Sequence, residues 1–189
     1  MIEIRWHGRG GQGAKTAALL LADAAFSTGM YVQGFPEYGP ERMGAPITAY
    51  NRLDSLPIRV HSNIYDPDIV VVVDESLVGP VDVTAGLKSS GAVIVNTDQT
   101  PACVRKLFAG YGGALYAIDA RDISLRSMGR NLPNTPLLAA VVKVSGIMEE
   151  QDFLDNMKES FAHKFSSKPE VIEGNMNAIR EAWRGAILI

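Results

Sequence analysis

Short, nearly continuous apolar runs alternate along the chain with stretches that carry apolar residues at every third or fourth position. The runs are IEIRWH at 2–7, YVQGF at 31–35, IVVVV at 69–73, AVIVN at 92–96 and ALYAID at 114–119. Unbroken apolar runs of this length are typical of strands buried on both faces of a parallel sheet, and the stretches between them are typical of helices. The alternation predicts an α/β fold with a doubly wound, mostly parallel, Rossmann-like sheet.

One segment departs from this order. The sequence PITAYNRLDSLPIRVHS at 46–62 alternates apolar and polar residues on both sides of Asp54-Ser55-Leu56-Pro57. Alternation with a period of two residues is typical of half-buried antiparallel strands, and a proline-containing tetrapeptide between them is typical of a turn. The pattern predicts a β-hairpin inserted into the α/β order.

Length and composition limit the possible functions. The 189 residues are 47% hydrophobic, enough for one well-buried core, so we expect a single domain over 1–189. The formal charge of −3 and scattered basic residues argue against a nucleic-acid partner. The lone Cys103 excludes an internal disulfide or a cysteine-ligated metal cluster. The run at 69–73 is too short to cross a membrane and no leader pattern is evident, so we expect a cytoplasmic protein without membrane contact.

A glycine-rich turn follows the first strand. Gly8-Arg9-Gly10-Gly11-Gln12-Gly13 has the spacing G-x-G-x-x-G and leads into an Ala/Leu-rich helix predicted at about 14–28. A turn of this kind directs backbone N–H groups and the positive end of the helix towards an anion. The second strand, however, does not end in the acidic residue that should hold the ribose of NAD; Glu37 is the nearest candidate and follows Phe35-Pro36 in a loop. The motif alone leaves three alternatives open: an anion site, an NAD site, or a tight turn without a ligand.

A second unusual segment is the loop QGFPEYGPERMGAP at 33–46. It is long and combines rigid prolines and glycines with aromatic and charged side chains, which indicates more than a connection between strands. Aromatic residues beside an arginine are typical of anchors in protein interfaces. We predict an interface formed by six residues of this loop: Phe35, Glu37, Tyr38, Glu41, Arg42 and Met43.

No conventional catalytic constellation is evident in the sequence. The histidines are far apart, and His7 is the one placed beside the glycine-rich turn, where we expect a structural role. Asp74-Glu75 and Asp119 follow predicted strands and are expected to cap the next helices. We therefore assign no catalytic residue and no metal ligand to the chain.

Six segments together resemble the gamma subunits of the pyruvate/2-oxoacid:ferredoxin (flavodoxin) oxidoreductases. They are RWHGRGGQGAKTAALLLADAAF, VQGFPEYGPERMGAPITAYNRL, PIRVHSNIYDPDIVVVVDESL, DVTAGLKSSGAVIVNT, NLPNTPLLAAVVKVSGI and EVIEGNMNAIREA, which cover nearly the whole chain. The combination of HGRGGQG with FPEYGPERxGAP is specific. A second arginine often follows Glu41-Arg42 in the family, and here that position is Met43.

The resemblance implies a function in a complex. Such a subunit assembles with alpha, beta and delta-type subunits, which hold thiamine diphosphate, magnesium and iron–sulfur clusters and pass electrons to ferredoxin. The complex converts a 2-oxoacid, here most similar to the pyruvate type, and coenzyme A to acyl-CoA and carbon dioxide. This chain has neither a cluster motif nor a thiamine motif, so we expect it to hold no cofactor and to be inactive alone. The glycine-rich turn, residues 8–13, is then a candidate contact for coenzyme A.

Three alternatives to this assignment stay open. The same type of complex could act on a branched-chain or aryl 2-oxoacid, because a gamma subunit need not touch the side chain of the acid. The chain could be a scaffold without ligand contacts. It could also be a free-standing NAD-binding Rossmann protein, if the glycine motif had its commoner function.

Overall fold

The computed structural model describes residues 1–37 and 43–189. In these ranges the chain forms seven strands and six α-helices, together with a short 3-10 helix (Glu75–Leu77). The strands are β1 (Ile2–Arg9), β2 (Tyr31–Pro36), β3 (Pro46–Asp54), β4 (Ile69–Val72), β5 (Ala92–Asn96), β6 (Ala114–Ile118) and β7 (Ile187–Leu188). The helices are α1 (Ala14–Ser27), α2 (Pro101–Leu107), α3 (Ala120–Met128), α4 (Asn134–Ser145), α5 (Glu150–Lys164) and α6 (Pro169–Gly185).

All of these strands belong to one sheet, in the order β2-β3-β1-β4-β5-β6-β7. Strands β1, β4, β5 and β6 are parallel to their neighbours in this block, while β3 and β7 run antiparallel to theirs. The parallel strands therefore end at one common edge of the sheet, the carboxyl edge. The predicted α/β class with a mostly parallel sheet is confirmed.

The inserted hairpin is present, but its two strands are not the predicted ones. β3 pairs with β2 on one side and with β1 on the other, and the segment after Pro57 forms no strand. The predicted pairing across Asp54-Ser55-Leu56-Pro57 is wrong because both edges of β3 are already occupied. Instead, this segment lies on the sheet face, where the Val60 carbonyl accepts a hydrogen bond from Gln33 Nε2 at 2.9 Å.

Helices cover the two faces of the sheet unequally. On one face α1 and α4 pack against the sheet, and α3, α5 and α6 pack against these helices or one another, in a large apolar cluster that includes Trp6, Leu21 and Phe153. The other face packs against α2 and the segment after β4 in a smaller cluster around Val93 and Phe108. Because β4 and β5 are buried on both faces, their sequences are continuous apolar runs.

A buried asparagine joins β1, β3 and α1. Asn51 is fully buried; its Oδ1 accepts a hydrogen bond from Trp6 Nε1 at 2.8 Å, and its Nδ2 donates to the Ala18 carbonyl at 2.7 Å. A buried polar group without a partner is costly, so this one side chain satisfies an indole donor while tying the sheet to the helix above it.

We expect Asn51→Ala to lower the free energy of unfolding by about 2–4 kcal/mol, because it leaves the buried Trp6 indole N–H unpaired and opens a cavity. The matched control is Asn177→Ala on the exposed side of α6, for which we expect a loss below about 0.5 kcal/mol. Urea denaturation of the purified chain measures both. Equal losses in the two variants would contradict the structural role assigned to Asn51.

Candidate functional site

The glycine-rich turn, residues 8–13, lies at the carboxyl edge of the sheet and connects β1 to α1. α1 leads away to the edge strand β2, whereas on the other side of β1 the sheet continues with β4. The strands that follow β1 thus lie on opposite sides of it in the sheet: β2 and β3 on one side, β4 to β6 on the other. In open α/β sheets, ligands bind outside the carboxyl ends of the strands at such a switch point.

Three glycines of this turn have different structural surroundings, which explain why each position suits glycine. A Cβ on Gly8 would lie 3.2 Å from the Ala14 Cβ, so glycine permits close packing of strand on helix. Gly13 precedes α1 with φ of 82°, and a Cβ there would lie 3.0 Å from Asn134. Gly11 also has a positive φ, 95°, but it is exposed, and Met43 Cγ at 4.0 Å is the one atom found near its Cβ position among the described residues. Of these three glycines, Gly11 is therefore the one that a ligand could approach.

The two polar side chains of the turn are held by a carboxylate from the end of β4. Gln12 Nε2 donates to Asp74 Oδ2 at 2.6 Å, and Arg9 Nε lies 3.3 Å from the same oxygen. Gln12 Oε1 in turn accepts from the Arg9 backbone N–H at 2.8 Å. Arg9 and Gln12, both predicted to contact coenzyme A, are thus engaged within the protein.

Asp74 also caps the short 3-10 helix, as predicted. Its Oδ1 accepts from the backbone N–H and the hydroxyl of Ser76 at 3.0 and 2.6 Å. Partial burial acts to raise the pKa of Asp74, but the hydrogen bonds from Ser76 and Gln12 and the charge of Arg9 together outweigh it and lower the pKa. The carboxylate therefore remains ionised at neutral pH.

The glycine-rich turn is also joined to the end of the second motif. Gly10 donates its N–H to the Ala45 carbonyl at 2.9 Å, and Gly44 donates to the Gly10 carbonyl at 3.1 Å. Arg9 Nη1 adds a hydrogen bond to the Gly44 carbonyl at 3.1 Å. The described end of the second motif therefore lies beside the glycine-rich turn.

A cavity of about 650 Å³ opens beside the turn at the carboxyl edge. Its lining combines Gly11 and Gln12 with residues that follow β4, β5 and β6, and Arg121 is the one cation among the lining residues that the structure describes. Carboxylates are more numerous: Asp74, Glu75, Asp98, Asp119 and Asp122.

Several of these carboxylates already serve the fold. Asp119 Oδ1 accepts from the Asp122 N–H at 2.8 Å and so caps α3, which confirms its predicted role. Glu75 Oε2 accepts from the Thr97 hydroxyl at 2.5 Å. The cavity is nevertheless electronegative, and an anion entering it would meet repulsion.

The predicted interface residues are only partly described. Tyr38, Glu41 and Arg42 lie outside the described residues. Met43 is 95% exposed, and Phe35 is half-buried with its ring 5.2 Å from the ring of Tyr50.

Glu37, the third described member of that predicted interface, is fixed to β3 by two contacts. It accepts a hydrogen bond from the Tyr50 hydroxyl at 2.6 Å and donates its N–H to the Thr48 carbonyl at 2.8 Å. Burial, followed by this hydrogen bond to Glu37, raises the pKa of Tyr50.

His7 lies in a buried polar layer on the sheet face opposite α1, and Arg5 Nε donates to its Nε2 at 3.0 Å. The Arg5 guanidinium also donates to the carbonyls of Val83 and Ala85, at 3.1 and 2.6 Å, and so holds that segment on the sheet. Burial first, and then the Arg5 charge, lowers the pKa of His7 to about 4. The expected structural role of His7 fits these contacts.

The sequence did not single out Arg5, Tyr50 or Arg52, although all three are buried. A signal was present: charged and polar residues recur at every second position of β1, which places them on one face. The pattern of β1 alone could not show that this face is covered. The segments that cover it, 57–68 and 82–85, lie far from β1 in the sequence.

Among residues 1–37 and 43–189, no group of three or more His, Cys, Asp or Glu residues is arranged to hold a metal ion. No helix within these ranges has the length and apolar character needed to cross a membrane.

The fold and the glycine-rich turn define an α/β protein of the doubly wound class with a crevice at its carboxyl edge. The family model "Pyruvate ferredoxin/flavodoxin oxidoreductase" matches residues 3–184, and the chain belongs to that family. Within it the chain is an oxidoreductase subunit of the gamma type, as its resemblance implied.

Individual relatives support this placement. The protein named "Pyruvate/ketoisovalerate oxidoreductases common subunit gamma" of Thermococcus litoralis is 47% identical over 188 residues, which span 100% of this chain and 98% of that protein. The crystal structure of pyruvate oxidoreductase subunit PORC from Thermotoga maritima has a TM-score of 0.85 and 41% identity over 99% of this chain and 97% of that one.

A more distant neighbour shares the fold alone. A 2-oxoglutarate:ferredoxin oxidoreductase from Magnetococcus marinus has a TM-score of 0.69 at 19% identity. The match covers 96% of this chain but 30% of that polypeptide, so the same fold is one part of a longer chain there.

We expect His7 to make stability depend on pH. With a pKa of about 4 when folded, against 6.5 when unfolded, His7 binds its proton more readily in the unfolded chain. Stability from this group is complete above pH 6.5 and declines as pH falls towards 4, by roughly 3 kcal/mol in total. Urea denaturation at several pH values should show this slope in the native chain and lose it in His7→Gln.

His163→Gln, at an exposed position near the end of α5, is the control and should keep the slope. The same dependence on pH in His7→Gln as in the native chain would contradict the role assigned to burial of His7.

Proposed function

We propose that the chain is the gamma subunit of a complex that converts a 2-oxoacid, with pyruvate as the first candidate, and coenzyme A to acyl-CoA, carbon dioxide and reduced ferredoxin. The observation that carries the proposal is the 47% identity, over 98% of its length, to a gamma subunit common to pyruvate/ketoisovalerate oxidoreductases. In this proposal the alpha, beta and delta-type partners hold thiamine diphosphate, magnesium and iron–sulfur clusters, which supply decarboxylation and electron transfer. The complex is cytoplasmic, without contact to membrane or nucleic acid.

A branched-chain 2-oxoacid is the second candidate substrate. The name of the Thermococcus litoralis relative assigns it to both pyruvate and ketoisovalerate oxidoreductases as a common subunit. A subunit shared between two such enzymes would leave the choice of acid to its partners. We propose that this chain likewise does not select the 2-oxoacid.

The contribution of this chain that we propose is to assist assembly and to contact coenzyme A at the glycine-rich turn. The turn lies at the switch point of the sheet, where α/β proteins bind ligands. α1 begins there with no acidic residue in its first turn and, among the described residues, no side chain that caps it. The backbone N–H groups at such a helix start suit a phosphate oxygen.

The charge of the adjacent cavity restricts how coenzyme A could lie. Five carboxylates against one arginine line it, so the phosphates would be repelled from its interior. We therefore propose that phosphate contact is confined to the backbone around Gly11. Groups that donate hydrogen bonds, such as ribose hydroxyls, suit the carboxylates beyond it.

Met43 supports a partner surface next to this turn. The Met43 side chain is 95% exposed and lies against the Gly11 position, although a large apolar side chain gains free energy when it is covered. We propose that a partner subunit covers Met43 in the complex, together with Phe35, Glu37, Tyr38, Glu41 and Arg42. The contact with coenzyme A and the subunit contact would then adjoin each other.

We expect Gly11→Ala to raise the apparent KM of the assembled complex for coenzyme A by about ten- to a hundredfold, because a methyl group would block approach to the backbone. The KM for the 2-oxoacid should not change. Gly29→Ala is the matched control: Gly29 also has a positive φ, 83°, nothing lies within 4 Å of its Cβ position, and it follows the opposite end of α1. Both variants carry similar backbone strain.

Similar KM values for coenzyme A in the Gly11→Ala, Gly29→Ala and native complexes would show that the turn has no ligand contact. The scaffold function would then be the better account of this chain.

We expect Met43→Asp to weaken assembly about tenfold or more, because it places a charge where the proposed interface covers an apolar side chain. Leu56→Asp is the control, since Leu56 is also an exposed apolar residue, 69% exposed, but follows the opposite end of β3. Titration of purified chain into the remaining subunits measures the affinity. Equal affinities of the two variants would place the interface elsewhere.

A further inference from the structure

Asp74 is the residue on which the polar contacts of the glycine-rich turn converge. Oδ2 accepts from Gln12 and pairs with Arg9, while Oδ1 accepts from Ser76. Gln12 and Asp74 are separated by 62 positions in the sequence, so this contact fixes the turn between β1 and α1 to the end of β4.

The residues that contact Asp74 also contact one another. Gln12 reaches back to the Arg9 N–H through Oε1, and the Arg9 guanidinium also donates to the Ser76 hydroxyl at 2.9 Å and to the Gly44 carbonyl at 3.1 Å. Both residues that flank Gly10-Gly11 are held, so the backbone between them is held too. A backbone that is fixed before binding loses less conformational entropy when a ligand arrives.

We propose that Asp74 is a positioning residue, which holds the Gly10-Gly11 backbone, through Gln12 and Arg9, in the form that contacts coenzyme A. This inference rests on the proposed function of the turn. It assigns to Asp74 no contact with the reacting atoms.

The chemistry of the contacts indicates which substitution separates the two functions of Asp74. In Asp74→Asn, the amide oxygen can still accept from Ser76 and cap the 3-10 helix. The amide NH₂ then faces Gln12 Nε2 and Arg9 Nε, which are themselves donors, so the hydrogen bond from Gln12 and the ion pair with Arg9 are both lost. The cap is kept, while Gln12 loses its hydrogen bond to position 74 and Arg9 keeps its hydrogen bonds to Ser76 and Gly44.

A second aspartate provides a matched control. Asp82 Oδ1 accepts from the backbone N–H and the hydroxyl of Thr84 at 3.2 and 2.9 Å, the same pattern that Asp74 has with Ser76. No hydrogen bond or ion pair found for Asp82 among the described residues reaches the glycine-rich turn. Asp82→Asn therefore repeats the chemical change in a turn of the same kind without releasing residues 8–13.

Exchanging the carboxylate of Asp74 and the amide of Gln12 tests whether their contact can be restored. In the double variant that combines Asp74→Asn with Gln12→Glu, the amide introduced at position 74 can donate to the carboxylate introduced at position 12. That carboxylate can still accept from the Arg9 N–H and now carries the charge that pairs with the Arg9 guanidinium. The contact is restored with donor and acceptor exchanged.

The experiment measures the apparent KM for coenzyme A and for the 2-oxoacid in complexes assembled with each variant. We expect Asp74→Asn to raise the KM for coenzyme A about tenfold, Asp82→Asn to leave it unchanged, and the double variant to recover most of the loss. The KM for the 2-oxoacid is the internal reference and should stay constant. A merely structural role of Asp74 would lower thermal stability without a selective effect on coenzyme A.

The outcomes separate this inference from the proposed function. If Gly11→Ala raises the KM for coenzyme A but Asp74→Asn does not, the positioning role is wrong and the ligand contact stands. If neither variant raises it, the ligand contact itself is wrong, and the positioning role with it. If Asp74→Asn prevents assembly, the double variant decides: assembly with a native KM supports the inference, and assembly with a raised KM overturns it.

Discussion

The pairing of β1 with β3 is the constraint on which the rest of this structure depends. The two strands are antiparallel over eight residue pairs, from Ile2 opposite Leu53 to Arg9 opposite Pro46. Beyond the last pair, hydrogen bonds of Gly10 with Gly44 and Ala45 continue the contact past the sheet. Because β3 occupies this place, β2 is displaced to the edge of the sheet. The end of the long loop, at Gly44 and Ala45, is thereby brought against the glycine-rich turn.

The same arrangement explains why a dinucleotide motif need not indicate a dinucleotide. In a plain Rossmann unit the second strand lies beside the first and its end supplies the acid for the ribose. Here β3 separates β1 from β2, and the turn is occupied by contacts with Asp74 and Gly44. What remains accessible is the backbone at Gly11, beside an exposed Met43 and an electronegative cavity. Family membership places this turn in an oxidoreductase subunit.

Much of the fold could be predicted because strands that are buried on both faces of the sheet appear in the sequence as continuous apolar runs. β5 has its predicted bounds and β4 and β6 differ by a residue, since continuous apolar runs between polar ends allow few other assignments. The strand predicted after Pro57 fails because alternation specifies a half-buried segment but not whether a sheet edge is free to receive it. Asp74 and Asp119 were predicted as caps from local sequence, and they are. The hydrogen bond between Asp74 and Gln12 joins segments that are distant in the sequence, so no local pattern predicts it. The same holds for the segments that bury Arg5 and His7.

The central claim is that the glycine-rich turn contacts coenzyme A in the assembled complex, and hydrogen–deuterium exchange tests it most directly. Amides that donate to a bound phosphate exchange more slowly, so peptides covering residues 8–13 should become protected when saturating coenzyme A is added to the complex. Peptides from the end of β3, on the opposite edge of the sheet, should exchange equally with and without it. Unchanged exchange of residues 8–13, in a complex that turns over coenzyme A under the same conditions, would contradict the claim.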